Sequence, residues 1–267
     1  MMLKIIVLAK QVPDTRNVGP EAMTPEGTVN RAALPAVFNP EDLNALEQAI
    51  RLKEQHPGST ITMLTMGLPK AAEVLREGLY RGADNGILLT DRALGGADTL
   101  ATSYTLAQAI KKVGDYDIIL CGRQAIDGDT AQVGPQVAEK LGLTQITYTE
   151  EILECTKEKI VARRHIDGGV ETVEAPLPIV VTVNGSAAPC RSRNVKRIMA
   201  NKKVEFTTWG AADIDADPTQ IGKAGSPTNV KAVKSIVFKA KETKTLTSSD
   251  EDINNLMKEL IESNTIG

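Results

Sequence analysis

Four runs of apolar residues without polar alternation, at 3–9, 60–66, 86–89 and 117–121, read as strands buried on both faces. Between them, 40–55, 69–81, 99–112 and 130–141 carry apolar residues at helical spacing. In the first of these the apolar face is Leu43, Leu46, Ala49 and Ile50. Its start is favourable: Asn39 as a capping side chain, Pro40 in the first turn, then Glu41 and Asp42 at the positive end of the helix. Buried strands alternating with helices predict an α/β fold, a mostly parallel sheet covered on both faces and joined by right-handed crossovers.

After residue 144 the rhythm changes. Short strand-like stretches at 146–153, 159–164, 170–174 and 179–183, with a turn at Asp167-Gly168-Gly169, predict an added antiparallel hairpin region over about 145–183. A basic stretch follows (Arg191, Arg193, Lys196, Arg197, Lys202, Lys203), which equally describes a docking surface or a solvated face. Residues 210–233 are rich in Ala, Gly, Asp, Pro and Thr with little periodicity and read as an extended arm. A last helix, 250–262, places Ile253, Leu256, Leu260 and Ile261 on one side and needs something to pack against. The expected organisation is a nucleotide domain at 1–205 and a partner-contacting arm at 206–267.

Composition narrows the chemistry. A net charge of −3 and 3% aromatic residues disfavour a nucleic-acid partner. No apolar run approaches the ~20 residues a membrane helix needs, and the N-terminal run is too short for a signal sequence, so a cytoplasmic location is expected. The three cysteines, Cys121, Cys155 and Cys190, are irregularly spaced and the only histidines are His56 and His165, which disfavours a zinc site or an iron–sulfur cluster held by this chain. Dinucleotide and P-loop fingerprints and a nucleophile elbow are missing. With no evident acid–base set, no catalytic residue is assigned, and binding or electron transfer is expected.

The most informative stretch runs from Tyr116 through Gly134: a buried strand ending at a glycine, a polar loop, then a helix start. In an open α/β sheet such a junction is where ligands bind, because loop amides and a helix N-terminus converge there on an anion. Gly122 is expected to let backbone approach a ligand, Gly128 to permit a tight turn, and Asp129 to cap a helix beginning at Thr130. A strand-to-helix turn with no ligand fits the same residues. Asp98 reads as a second helix cap, with the Thr99 and Thr102 hydroxyls in the first turn behind it. Lys10-Gln-Val-Pro-Asp14 follows the first strand and should open onto the same sheet edge.

Several segments together resemble the β subunit of electron transfer flavoproteins: Val7-Leu-Ala-Lys-Gln-Val-Pro-Asp14, Asn39-Pro-Glu-Asp42, Arg81-Gly-Ala-Asp84, Gly122-Arg-Gln-Ala-Ile-Asp127, Asp167-Gly-Gly with Glu171 and Val173, Pro178 with Val180-Val-Thr182, and Ile198-Met199 with Lys202-Lys203. The resemblance covers most of 1–205. It implies a Rossmann-like, HUP-type adenine nucleotide domain with a C-terminal arm embracing an α subunit. By position it places nucleotide contacts at Ala9, Asn39, Pro40, Glu41, Asp42, Met66, Gly122, Arg123, Gln124, Ala125, Ile126, Asp127, Gly128, Asp129, Thr130, Ala131, Gln132 and Val133.

The loop beginning Asp127-Gly-Asp, together with Gly96-Ala-Asp98-Thr99, looks like the branch that performs flavin-based electron bifurcation. In that branch the β subunit binds FAD that takes hydride from NADH. Electrons pass to ferredoxin or flavodoxin and, through the α-subunit FAD, to an acyl-CoA dehydrogenase or reductase. Oxidoreductase activity would then exist only in the complex. Thr99 and Thr102, with the helix amides, would serve the FAD pyrophosphate, Asp98 counting with them among the cofactor-binding residues, and Val195, Lys196, Arg197, Ile198 and Met199 would dock the dehydrogenase. The alternatives are a family member holding AMP with no redox role, or a stand-alone ATP-binding α/β protein. Asn184-Gly-Ser-Ala-Ala-Pro-Cys190 departs from the Asn-Glu-Pro-Arg often found in the family, which leaves the identity of the dehydrogenase open.

Overall fold

The protein is seen in a computed structural model that describes residues 1–14, 35–228 and 243–266. The chain divides into two compact units, 1–231 and 232–267.

The first unit is built on β1 (Lys4–Leu8), whose Ile5, Ile6, Val7 and Leu8 are all buried, the signature of a strand covered on both faces. It pairs in parallel with β4 (Thr60–Met66) on one side and β6 (Ile118–Gly122) on the other. β5 (Asn85–Leu89) extends the sheet beyond β4. A two-stranded pair, β2 (Gln11–Pro13) and β3 (Ala36–Phe38), stands apart from this sheet. Helices α1 (Pro40–Gln55) and α2 (Ala72–Arg81) pack into one core with Ile5 and Val7, while α3 (Thr99–Val113) and α4 (Val133–Leu141) cover the opposite face with Ile6 and Leu8. The chain winds outward from β1 through β4 and β5, then returns to the other side of β1 as β6. The resulting switch point lies between β1 and β6, where open α/β sheets bind ligands at the carboxyl ends of their strands.

Two expectations are corrected in the later chain. β7 (Thr144–Cys155), β8 (Lys159–Ile166) and β9 (Gly169–Pro176) do form an antiparallel extension, but β10 (Ile179–Val183) belongs to no hairpin. It is fully buried between β6 and β7, parallel to both, as a strand apolar at every position but Thr182 requires. The supposed arm also returns to the sheet: β11 (Thr207–Trp209) pairs with β5 and completes, among the described residues, a nine-stranded sheet. Ile214 and Ile221 are buried against the same face as α3, so the domain does not end at 205. Between β10 and β11 lies α5 (Val195–Asn201).

The second unit contains α6 (Asp250–Glu262), capped by Ser249 and acidic in its first turn, with no buried residue. None of the described helices is long and apolar enough to cross a membrane.

Candidate functional site

At the switch point a cleft of about 410 Å³ opens, within the range of small-molecule sites. Its floor is apolar, with Leu8, Leu64, Met66, Leu94 and Leu106, and its rim is the loop from Gly122 to Gly134. Ala9, Asp42, Asp98, Thr99, Thr102, Arg123, Gln124, Ala125, and every residue from Asp127 to Val133 also line it.

Asn39, Pro40, Glu41 and Ile126 do not line the cleft. Pro40 and Ile126 border a separate hollow behind it. Asn39 and Glu41 hold the rim from outside. The Asn39 side chain makes no cap on α1; its amide donates to the Gln124 carbonyl at 2.8 Å and its oxygen accepts from the Ile126 N–H at 3.2 Å. Glu41 accepts from the Gln124 N–H at 3.0 Å and pairs with the Arg123 guanidinium at 2.9 Å, which lies over the Tyr148 ring. Asp42 joins the two central strands' exits, accepting from the Lys10 N–H at 2.8 Å and the Gly122 N–H at 2.9 Å. The head of α1 is therefore a bracket for the ligand loop.

Gly122 lines the cleft, and it is also required where α1 meets the sheet. A Cβ there would sit 2.6 Å from Asp42 Oδ1 and 2.7 Å from the Glu41 carbonyl carbon, so it is α1 that approaches closely. Gly128 has open space around it and no left-handed backbone; the left-handed residues are Asp129 (φ 48) and Ala131 (φ 52). These two turns delay the helix, which begins at Val133 rather than Thr130. Asp129 consequently caps nothing and instead accepts from the Gln124 side chain at 2.7 Å. Such conformations cost roughly 1–3 kcal/mol each and gather at binding sites. Gly134, in the first turn of α4, lets the helix meet the sheet: a Cβ would lie 2.6 Å from Thr182 Cγ2 and 2.9 Å from Cys121 Sγ.

Two helix N-termini face the cleft. Asp98 caps α3, accepting from the N–H groups of Leu100 at 3.0 Å and Ala101 at 3.1 Å. Burial pushes its carboxyl up, but the N–H groups of Ala101, Thr228 and Leu100 outweigh this and hold it below the usual range. α4 has Gln132 at its cap position with no side-chain cap, so the N–H groups of Val133 and Gly134 are open to an anion, while Pro135 beside them has none. The heads are tied together: Thr99 donates to Gln132 at 2.8 Å and Ser103 to Gln136 at 3.0 Å. Lys10, outside the contact set inferred from resemblance, lines the cleft and pairs with Asp127 at 2.7 Å. Its position directly after β1 was the available signal.

Burial raises Asp42 to about 7, although the Lys10 and Gly122 N–H groups pull it down. Burial also pushes the Cys121 thiol well up, with Asp42 adding to the effect, so this cleft thiol stays protonated. The arrangement offers amides, hydroxyls and an ammonium above an apolar floor, which suits a phosphorylated nucleoside and supplies no hydrolytic nucleophile.

On α5, Val195 and Met199 are 72% and 74% exposed, and Lys196 is exposed beside them. Ile198 is half-buried, and the Arg197 guanidinium turns inward to the Leu79 and Ala83 carbonyls. Arg191 is likewise committed internally, to Glu47 and Glu54.

Comparison with known proteins agrees with this geometry. Residues 26–214 match the family described as "Electron transfer flavoprotein domain". The chain is 46% identical to the electron transfer flavoprotein subunit beta of Clostridium acetobutylicum, over 86% of both chains. It is 45% identical to the caffeyl-CoA reductase-Etf complex subunit CarD of Acetobacterium woodii, over 85% of this chain and 86% of that one. Identity to the acryloyl-CoA reductase electron transfer subunit gamma of Anaerotignum propionicum is 41%, over 85% and 86%. A match across so much of the chain, onto a sheet whose switch point carries an anion-ready loop, shows that this chain belongs to the electron transfer flavoprotein family, among its β subunits.

Proposed function

We propose that the cleft holds FAD and that the chain is the redox-active β subunit of an electron-bifurcating flavoprotein. The observation that carries this reading is the pairing of two helix heads at one cleft, α3 and α4, joined by Thr99 and Gln132. Asp98 occupies the α3 amides, so α3 contributes the hydroxyl of its first turn and α4 its open N–H groups; two adjacent sets of donors serve a pyrophosphate better than a single phosphate. The open N–H groups of Val133 and Gly134 at the start of α4, the hydroxyls of Thr102 and Thr130, and the Lys10 ammonium would hold its oxygens, with Thr99 tying the two heads together, while the apolar floor shields the adenosine. Asn39, Glu41 and Asp42 keep the loop in register. Bound FAD would accept hydride from NADH and release electrons to ferredoxin or flavodoxin and, through the α-subunit FAD, to an acyl-CoA dehydrogenase or reductase; the redox chemistry is the cofactor's own.

Support also comes from the names of two relatives, which place them in caffeyl-CoA and acryloyl-CoA reductase assemblies. We assign the α subunit to the second unit, whose α6 leaves Ile253, Leu256, Met257 and Ile261 exposed, and the dehydrogenase to Val195 and Met199 on α5. The complex is assigned to the cytoplasm. The competing reading keeps the same fold with AMP in the cleft; it is favoured by the Asp98 carboxylate, which places negative charge beside the second helix head. Flavin and AMP released from the purified αβ heterodimer decide between them. Two FAD and no AMP are expected; one FAD with one AMP would leave this chain without a redox role.

A further inference from the structure

α5 is seven residues long and has no buried residue. A helix this short does not persist in water by itself, because nucleation costs more than two turns return. Apolar burial cannot be what holds it. Asn194 caps its start by accepting from the Arg197 N–H at 3.2 Å, and its own N–H donates to the Tyr80 carbonyl at 2.9 Å. What remains is a reciprocal contact with α2. Arg76 of α2 donates to the carbonyls of Asn201 at 3.4 Å, Lys202 at 3.2 Å and Val204 at 3.1 Å, and its guanidinium stacks 5.3 Å from the centre of the Phe206 ring. Arg197 of α5 donates to the carbonyls of Leu79 at 3.4 Å and Ala83 at 3.1 Å. Each arginine thus satisfies orphan carbonyls at the carboxyl end of the other's helix, where a cation is also favoured by the helix dipole.

The spacing of α5 gives this consequence. Arg197 reaches α2 and Ile198 is half-buried, whereas Val195 and Met199, one turn apart, are exposed. We propose that Arg76 and Arg197 are positioning residues for electron delivery: by capping one another's helices they fix α5 as a rigid platform presenting Val195 and Met199 to the acceptor flavoprotein. This rests on the docking reading given above for Val195 and Met199. An arginine suits the task better than a lysine, since its planar fork reaches several carbonyls at once. A pre-ordered platform spares the ordering entropy that a loose segment would lose on docking.

The test uses the αβ heterodimer, with three readouts: amide exchange over 194–204, flavin content, and steady-state reduction of an acyl-CoA reductase. Losing hydrogen bonds from a charged donor should weaken the platform by about tenfold. Arg197→Ala and Arg76→Ala are therefore expected to speed exchange over 194–204 and raise KM for the heterodimer by about that factor, with kcat and flavin content unchanged. Arg197→Lys should recover part of the loss. Val195→Glu with Met199→Glu should raise KM without altering exchange. Faster exchange with unchanged KM in the arginine variants would reduce them to ordinary structural residues, and unchanged exchange would show that they are no clamp. No effect of the double glutamate variant would overturn the docking reading itself, and the arginines' role with it. That failure is recognisable because the exchange result does not depend on the partner. If the alanine variants lose flavin, Arg76→Lys and Arg197→Lys carry the same comparison.

Discussion

The heads of α3 and α4 lie side by side, joined by Thr99 and Gln132, and yet are finished in opposite ways. α3 is closed by its own Asp98, which fills its leading N–H groups with a carboxylate. α4 has no cap; two left-handed residues, Asp129 and Ala131, lead into it, and its first N–H groups stay open. A helix start that looks well made in sequence is one whose amides are already spent. The start available to a ligand is the one that lacks the usual signal.

The contrast can be broken most severely at Asp42, which holds the strand leading into the α4 loop. Asp42→Ala would strand the N–H groups of Lys10 and Gly122, at a cost of about 1–3 kcal/mol for each. We expect faster amide exchange over 122–132 while α3 keeps its protection; equal loosening of both would show that the two heads share one support. Asp42 also makes the support pH-dependent. Its folded value of about 7 lies above the ordinary 3.8, so the folded state binds the proton more tightly than the unfolded chain. Its contribution is fully present below the unfolded value and is lost as pH rises through 7. Urea midpoints of wild type measured against Asp42→Asn should diverge in favour of the variant between about pH 4 and pH 7, the span from the unfolded to the folded value; parallel midpoints would place Asp42 as a permanently charged carboxylate. Next in size, Asp98→Ala should remove about 1 kcal/mol of stability, read as a lower Tm, while nucleotide remains bound. Retained Tm would mean that Ser226, whose hydroxyl accepts from the backbone N–H of residue 98, carries this corner instead. The smallest effect has two signs. Gln132→Asp gives α4 a carboxylate that can reach the Gly134 N–H but no third amide, since Pro135 has none, so Tm should rise by less than about 1 kcal/mol equivalent while nucleotide affinity falls, as the new carboxylate competes for the same amide. Unchanged affinity would put the phosphate elsewhere.

Legibility followed how local each cause was. α1 appears at the residues expected from its apolar spacing and proline start, and β4 likewise, because both causes lie within a few neighbouring residues. β11 was invisible: three residues, Thr207 to Trp209, become a strand only because β5 offers an edge more than a hundred positions earlier. β10 does not belong to the hairpin region, and its sequence, apolar on both faces except at Thr182, already called for cover on both sides. In the site, proximity to strand ends located the cleft. The roles of its residues were harder to read. Asn39 has the chemistry of a cap and spends it across the fold on the Gln124 and Ile126 backbone, a contact that no local pattern encodes. Gly122 faces the cleft as its place after a strand suggests, but that it also makes room for α1 is visible only in the fold.

α1 ends by touching more of the molecule than its apolar face suggests. Its polar side chains bond in succession to the cleft loop through Asn39, Glu41 and Asp42, to the segment before α5 through Asn44 and Glu47, and to β7 through Gln48. For anyone building chimeras between β subunits, this helix sets where the crossover points may fall. A cleft loop grafted from a relative without residues 39–48 arrives without its fastenings, and a new docking segment grafted alone loses the contacts of Asn44 and Glu47. The transferable module is the helix with its three attached segments, scattered in sequence from 39 to 191 and contiguous only in space.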